Sequence, residues 1–268
     1  MLEGPKFNPD AWLFPSLHRT PRSWVISSRL VMAAVGSFSK VWIEWLNKSK
    51  VHNRQMLTDT VESRPPDRGL VTVSNHSSCM DDPLMWGVLK MRCLLSNSCM
   101  RWTPAAEDIC YTNKWHSWFF SLGQCVPVRR GNGVYQKSMD FLLDKLNMGQ
   151  WVHLFPEGKV NLTNEALLRF KWGVGRLITE CKTSPIVLPI VHLGMDSVLP
   201  NEPPYIPQIR KNVTLLVGSP IDFSKDIERL KSLKKSPRDI RKYITDCLQE
   251  EVRQLLEKGR VLHSKFDS

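Results

Sequence analysis

Short apolar runs recur along the chain and stop abruptly in polar clusters; stretches with apolar positions three and four apart lie between them. The runs predict strands at residues 70–73, 123–130, 151–155, 186–191 and 213–217, with a further strand around 100–103. The periodic stretches predict helices at 51–63, 83–91, 115–122, 134–148, 165–181 and 236–258. Asp82 and Pro83 fit the start of the second of these, as N-cap and first helical residue. Within 134–148, Tyr135, Met139, Leu142, Leu143 and Leu146 share a face. The last helix opens with Ser236 as N-cap, and Ile240, Ile244, Cys247, Val252 and Leu255 line one side of it. It closes the domain or mediates self-association. Strands alternating with helices predict an α/β fold.

Residues 24–46 break this rhythm. They read WVISSRLVMAAVGSFSKVWIEWL, long enough to span a bilayer but interrupted by Arg29, Lys40 and Glu44. Only residues 30–39 are free of charge, too few to cross the hydrocarbon alone. Trp24, Trp42 and Trp45 flank the segment as interfacial anchors would. Two readings stand side by side: a membrane-associated segment that lies in the interface or re-enters it, and an amphipathic helix packed on the domain. Residues 1–23 carry four prolines and read as irregular, with neither an apolar secretory core nor an acid-free presequence. The expected division is an irregular segment 1–23, the membrane segment 24–46, the main domain 47–222 and a helical segment 223–268.

A net charge of +11 suits an anionic membrane, a nucleic acid or an acidic substrate. Ten tryptophans tilt that choice towards the membrane–water interface, and nothing beyond charge speaks for nucleic acid. Seven cysteines stand singly, without a C-x-x-C, and their odd number argues against a disulfide framework. A metal site can be drawn through His76, Cys79 and Asp81, but the spacing matches no metal motif, so no metal is expected. The Asn-x-Ser/Thr matches at Asn47, Asn75, Asn161 and Asn212 read as chance.

The candidate chemistry lies where strands end. His76 and Asp81 follow the 70–73 strand, at the carboxyl end where α/β sheets place their sites. A carboxylate on one imidazole nitrogen fixes the tautomer and leaves the other as a base for an alcohol proton. On these two residues alone a polar turn with an extra cap is the favoured reading, because the spacing is common by chance. Glu157 sits at a second strand end, in Phe155-Pro156-Glu157-Gly158. Lys159, Arg169 and Lys171 add positive potential or are solvated surface charges. No G-x-S-x-G elbow occurs, which argues against a serine hydrolase.

Four ordered blocks give a resemblance. They are His76-x-x-x-x-Asp81, residues 123–130, Phe155-Pro156-Glu157-Gly158, and the apolar, proline-containing stretch 186–191. Together they resemble the glycerophospholipid acyltransferase superfamily. Longer stretches, among them NHSSCMDDP, MRWTPAAEDIC and WVHLFPEGKVN, narrow the likeness to one branch. The resemblance implies a single acyltransferase-like domain with a central mixed sheet flanked by helices. It implies His76 as general base and Asp81 as its orienting partner. It implies a head-group site formed by Glu157, Gly158, Lys159 and one arginine. The wider family puts that arginine at Arg129, the branch at Arg130, and both stay open. The implied activity is transacylation between phospholipids and lysophospholipids, with monolysocardiolipin and cardiolipin as acceptor and product. No cofactor is implied. The implied place is an anionic, cardiolipin-rich mitochondrial membrane facing the intermembrane space. Two other readings remain: an acyl-CoA-dependent lysophospholipid acyltransferase, and a non-catalytic membrane-binding protein. Ser77, Ser78 and Cys79 are the close candidates for a covalent nucleophile, and direct attack by the acceptor is the expectation.

Overall fold

The computed structural model describes residues 12–16, 20–163 and 165–266; most of the expected irregular segment 1–23 falls outside them. Seven strands run in chain order: β1 (Lys48–His52), β2 (Leu70–Ser74), β3 (Thr103–Ala106), β4 (Cys125–Val128), β5 (Trp151–Leu154), β6 (Ile186–Leu193) and β7 (Asn212–Val217). Five form one sheet in the order β1-β7-β6-β2-β5. Only β6 and β7 pair antiparallel, so the sheet is mixed, as expected. β3 and β4 make a small parallel sheet, bridged to β5 through Trp102 and Val152.

The helices are α1 (Arg22–Lys40), α2 (Arg54–Glu62), α3 (Asp81–Leu84), α4 (Met91–Leu94), α5 (Glu107–Cys110), α6 (Lys114–Leu122), α7 (Lys137–Asn147), α8 (Gly173–Thr179), α9 (Met195–Val198), α10 (Ser224–Ser232) and α11 (Pro237–Ser264). They cover both faces of the sheet. Alternation along the strands sorts the side chains: Val71, Val73, Val152, Leu154, Val187 and Val191 face the core under α7, α8 and α11. Leu70, Trp151, Leu188, Ile190, Val213 and Leu215 face the other core, with α1 and α2. Burial on both faces is why β2 reads as an unbroken run. Ser236 caps α11 at the Asp239 amide, and buried Ile240, Ile244, Leu248 and Val252 seat that helix on the sheet. Each such side chain contributes about 1.5–3 kcal/mol. This helix closes the domain.

α1 packs on the domain and continues into a π-helical turn, Val41–Leu46. Ser28 Oγ donates to the Leu122 carbonyl (2.6 Å), and Lys40 Nζ donates to the Gly87 and Leu89 carbonyls (3.2 and 3.0 Å). Gly87 is a glycine for lack of room, since a Cβ there would lie 2.4 Å from the Ser39 carbonyl oxygen. Trp24 stacks on Trp102, and Trp42 packs against Phe38 and the core, whereas Trp45 is 79% exposed. Among the described residues, no helix is long and apolar enough to cross a membrane.

Several local expectations are corrected. β1 occupies the first part of the expected helix 51–63; its sequence Lys-Ser-Lys-Val-His is polar because it lies at the sheet edge. β3 begins three residues later than residue 100 suggested, with Trp102 as a bridge before it. The helix expected over 165–181 shrinks to α8, because other groups claim the amides of residues 168, 170 and 171. Tyr135 precedes α7 and is exposed. Cys93 and Cys99 form a disulfide.

Candidate active site

β2 ends at Ser74, and the next residue holds the chain in the sheet without a ladder. Asn75 Nδ2 donates to the His192 carbonyl (2.9 Å), and the His192 amide donates to Asn75 Oδ1 (3.0 Å). His76 follows immediately. Its Nδ1 lies 2.9 Å from Asp81 Oδ2, with Asp81 fully buried and the imidazole 19% exposed. Spacing explains the pair. Residues 77–81 fold back on themselves, with the Asp81 amide on the Ser78 carbonyl, and the amides of Ser77 and Ser78 donate to Asp81 Oδ2 (2.7 and 2.9 Å). A carboxylate accepting this many bonds is held in one orientation. Such a carboxylate favours the proton on His76 Nδ1 and leaves Nε2 with a free lone pair, the arrangement a general base needs. Phe155 stacks on the imidazole at 4.1 Å.

The Phe155-Pro156-Glu157-Gly158 loop grips the same residue by its backbone. Glu157 is 1% exposed. Its Oε1 accepts from the His76 amide (2.9 Å), and its Oε2 accepts from the Leu168 amide (2.8 Å) and Asn161 Nδ2 (3.1 Å). The Asn161 amide in turn donates to the His76 carbonyl (2.7 Å). Burial pushes the Glu157 carboxyl above the usual carboxylate range, against these three donors. Glu157 thus neither holds an arginine nor points free oxygens at solvent. Gly158 takes a positive φ of 75° at the turn, while Lys159, Arg169 and Lys171 are exposed.

Asp82 has the extended backbone expected of an N-cap before Pro83, but its side chain works elsewhere: the carboxylate accepts from Trp86 Nε1 (3.1 Å) and pairs with buried Arg101. Arg101 also donates to the Gly123 carbonyl (3.1 Å), tying the loop that follows β2 to the start of β4. Sequence reading missed Arg101; a lone arginine beside a tryptophan carries no pattern. His192 was missed for the same reason. Arg129 and Arg130 leave the end of β4 on the small sheet, where Arg129 pairs with Glu107 at 2.9 Å and Arg130 with Asp108. No group of three or more His, Cys, Asp or Glu side chains among the described residues could hold a metal ion.

Two spaces adjoin the loop. A polar cavity of about 220 Å3 lies beside His76 and Ser77 and is walled by Glu157, Asn161, His192 and the end of α11. A smaller apolar groove of about 90 Å3 runs between α1 and α6, with Asp82, Pro83, Trp86 and Arg101 at its base.

Comparison with known proteins agrees with this geometry. Residues 48–193 match the acyltransferase family model. The chain is 48% identical to tafazzin of Drosophila melanogaster over 257 residues, 96% of this chain and 68% of that one. It is 43% identical to the N-acylphosphatidylethanolamine synthase of Arabidopsis thaliana, over 74% of this chain and 72% of that one. The crystal structure of the 1-acyl-sn-glycerophosphate acyltransferase PlsC from Thermotoga maritima shares the fold, with a TM-score of 0.56 at 22% identity over 85% of this chain and 80% of that one. The chain belongs to the acyltransferase family, in the group that the tafazzins form, and is a phospholipid acyltransferase.

Proposed function

We propose that the chain is a CoA-independent phospholipid–lysophospholipid transacylase that remodels cardiolipin on an anionic membrane surface. The observation that carries this reading is the single base, His76, held by a buried Asp81. Exchange of one ester for another has to run both ways through one set of groups. The acceptor hydroxyl oxygen attacks the donor ester carbonyl while His76 Nε2 takes its proton. The tetrahedral intermediate collapses, the donor C–O bond breaks, and the departing alkoxide takes the proton back from His76. Asp81 stabilises the imidazolium between the two events.

Direct attack is favoured because none of the three candidate nucleophiles is activated among the described residues: Ser77 Oγ has no hydrogen-bond partner there that could take its proton. Ser78 Oγ is engaged with the Leu199 carbonyl at 3.1 Å. Burial and the Asp81 charge push the Cys79 thiol up, away from the thiolate that acylation would need. Arg129 and Arg130, with Lys159 at the turn, supply charge for the lipid phosphate.

The membrane side of the reading rests on an apolar surface. Ile26, Leu30 and Phe38 of α1 and Trp45 of the π turn are exposed, as are Trp115, Trp118 and Phe119 of α6, the helix that packs against α1. With the net charge of +11, this face suits an anionic bilayer. The expected compartment is a mitochondrial membrane, facing the intermembrane space.

The test is acyl exchange in purified components. One acyl-labelled phospholipid and one lysophospholipid are incubated with the protein and no CoA. Label should appear in the lysophospholipid product, and the reverse exchange should occur at a comparable rate. Transfer seen only after acyl-CoA is added would overturn CoA independence and leave an acyl-CoA-dependent enzyme working through the same His76 and Asp81.

A further inference from the structure

The exposed apolar residues of α1 form a single stripe. Ile26, Leu30, Ala34, Phe38, Val41 and Trp45 recur three or four positions apart, through the helix and into the π turn. At about 1.5 Å per residue the stripe is about 28 Å long. Trp45 ends it, and there it meets residues 199–211, the segment between α9 and β7. The Arg210 amide donates to the Leu46 carbonyl (2.7 Å), and the Lys211 amide donates to Asn47 Oδ1 (2.9 Å). This segment carries exposed apolar side chains of its own, Tyr205, Ile206 and Ile209. A bond from the Gln208 amide to the Val198 carbonyl (2.6 Å) closes its base. Its first residues are fixed to the loop that follows β2: Asn201 Nδ2 donates to the Ser77 carbonyl (2.7 Å), and Ser78 Oγ donates to the Leu199 carbonyl (3.1 Å).

Charge decides what covers such a face. Arg210 is exposed on the segment, and Lys48 is exposed beside it, with its amide on the Lys211 carbonyl (2.9 Å). Glu202 is the one acid of the segment, and Glu44 on the π turn is taken by Lys40 (2.8 Å) and Arg54 (2.9 Å). Apolar side chains rimmed by cations match an anionic bilayer, whose phosphates lie above its hydrocarbon. The substrates of a phospholipid acyltransferase lie in that same surface. We propose that residues 199–211 are a second bilayer-docking element, which continues the α1 stripe and holds the loop carrying His76 against an anionic leaflet. The proposal rests on the reading that the face made by α1 and α6 lies on a membrane. The chain from Ile206 back to Asn201 then sets how far Ser77, and His76 before it, stand from the lipid.

The experiment uses the full chain with vesicles of phosphatidylcholine alone and of phosphatidylcholine mixed with phosphatidylglycerol. Tyr205→Ser combined with Ile206→Ser removes the apolar tip without touching a buried group, so the melting temperature should hold. Partition into the mixed vesicles should fall by about tenfold or more, a smaller factor than full burial of two such side chains would give. Acyl transfer within those vesicles should fall with it, while transfer between short-chain lipids dissolved as monomers stays at the wild-type level. Amide hydrogen exchange at residues 205–209 of the wild type should slow on the mixed vesicles. Arg210→Gln combined with Lys211→Gln should weaken binding to the mixed vesicles and leave binding to phosphatidylcholine unchanged. Wild-type partition by the folded tip variant would overturn the proposal and leave the α1 and α6 face as the docking surface. Unchanged exchange at 205–209 on vesicles that hold the protein would do the same. Equal loss of transfer from dissolved and vesicle lipids would overturn it too, since the tip would then act on the site itself. So would a lipid-free dimer that the tip variant dissolves, which would assign the tip to a second copy of the chain. A wild-type chain that sediments with neither vesicle would overturn the membrane reading as well.

Discussion

Glu157 separates a residue that binds substrate from one that positions the base, and its replacement by alanine tells them apart. The carboxylate accepts from the amides of His76 and Leu168 and from Asn161 Nδ2. In Glu157→Ala, Asn161 Nδ2 keeps its second partner, the Ala166 carbonyl at 2.7 Å, so two part-buried amides lose their acceptor. At about 1–3 kcal/mol each, the loss is about 2–6 kcal/mol of stability, lessened by removal of a buried charge. In Glu157→Gln one oxygen remains and one donor faces an N–H, which halves the loss. Catalysis should suffer more sharply than stability. The His76 amide is freed, and a shift of the imidazole by ~1 Å costs on the order of 100-fold in rate. Steady-state acyl transfer, measured on protein shown to be folded by circular dichroism, should give a much lower kcat with an almost unchanged KM for the lysolipid. A raised KM at wild-type kcat would refute the positioning role and restore Glu157 as a substrate ligand.

Further outcomes follow from the same geometry. His76→Ala and Asp81→Ala should each lower acyl transfer by about 100-fold to 10,000-fold in a folded protein; near-normal turnover would end the general-base mechanism. Burial raises the Glu157 carboxyl, so its proton adds stability below the unfolded value and that contribution is lost as pH rises through the folded one. Activity runs the opposite way, since a protonated Glu157 gives up an acceptor: the acidic limb of the pH–rate profile should change shape in Glu157→Gln, and an unaltered limb would refute this. Arg129→Ala and Arg130→Ala should differ in apparent acceptor KM, and equal small effects would move the phosphate away from the end of β4. Leu30→Glu and Trp115→Glu should weaken sedimentation with anionic vesicles while leaving the melting temperature nearly unchanged; unchanged sedimentation would argue against the apolar face as the docking surface. No acylated protein should accumulate with donor lipid alone, and an intact-mass adduct lost in Ser77→Ala, Ser78→Ala or Cys79→Ala would establish a covalent route.

The parts that sequence revealed are those where one physical demand dominates. β2, β5, β6 and β7 are apolar because both faces are covered, and His76 and Asp81 stand out because a polar cluster ends such a run. α11 announces itself through Ser236, Pro237 and an apolar side. What stayed hidden depends on partners distant in the chain. β1 is polar because β7 and solvent, rather than a core, surround it. Residues 165–172 have a helical pattern, yet Glu157, Gln249 and the Pro156 carbonyl take the amides of residues 168, 170 and 171. Asp82 has the look of a cap, but an ion pair with Arg101, nineteen positions away, sets its orientation. The work of Glu157 on the His76 backbone was equally invisible, since the two are 81 positions apart.

The catalytic loop has different surroundings on its two flanks: His76 and Ser77 touch the polar cavity, and Asp82 and Pro83 touch the apolar groove. An ester in a phospholipid occupies the same kind of frontier, with a hydrated head on one side and a hydrocarbon tail on the other. A lipid that aligns its own frontier with the loop brings its ester towards His76 before any contact specific to its head group is made. Orientation is then supplied by amphiphilicity itself, and a bystander ester in a fully apolar or fully water-soluble molecule arrives misaligned. On the transacylase reading, donor and acceptor are built alike and are aligned by one and the same gradient of polarity.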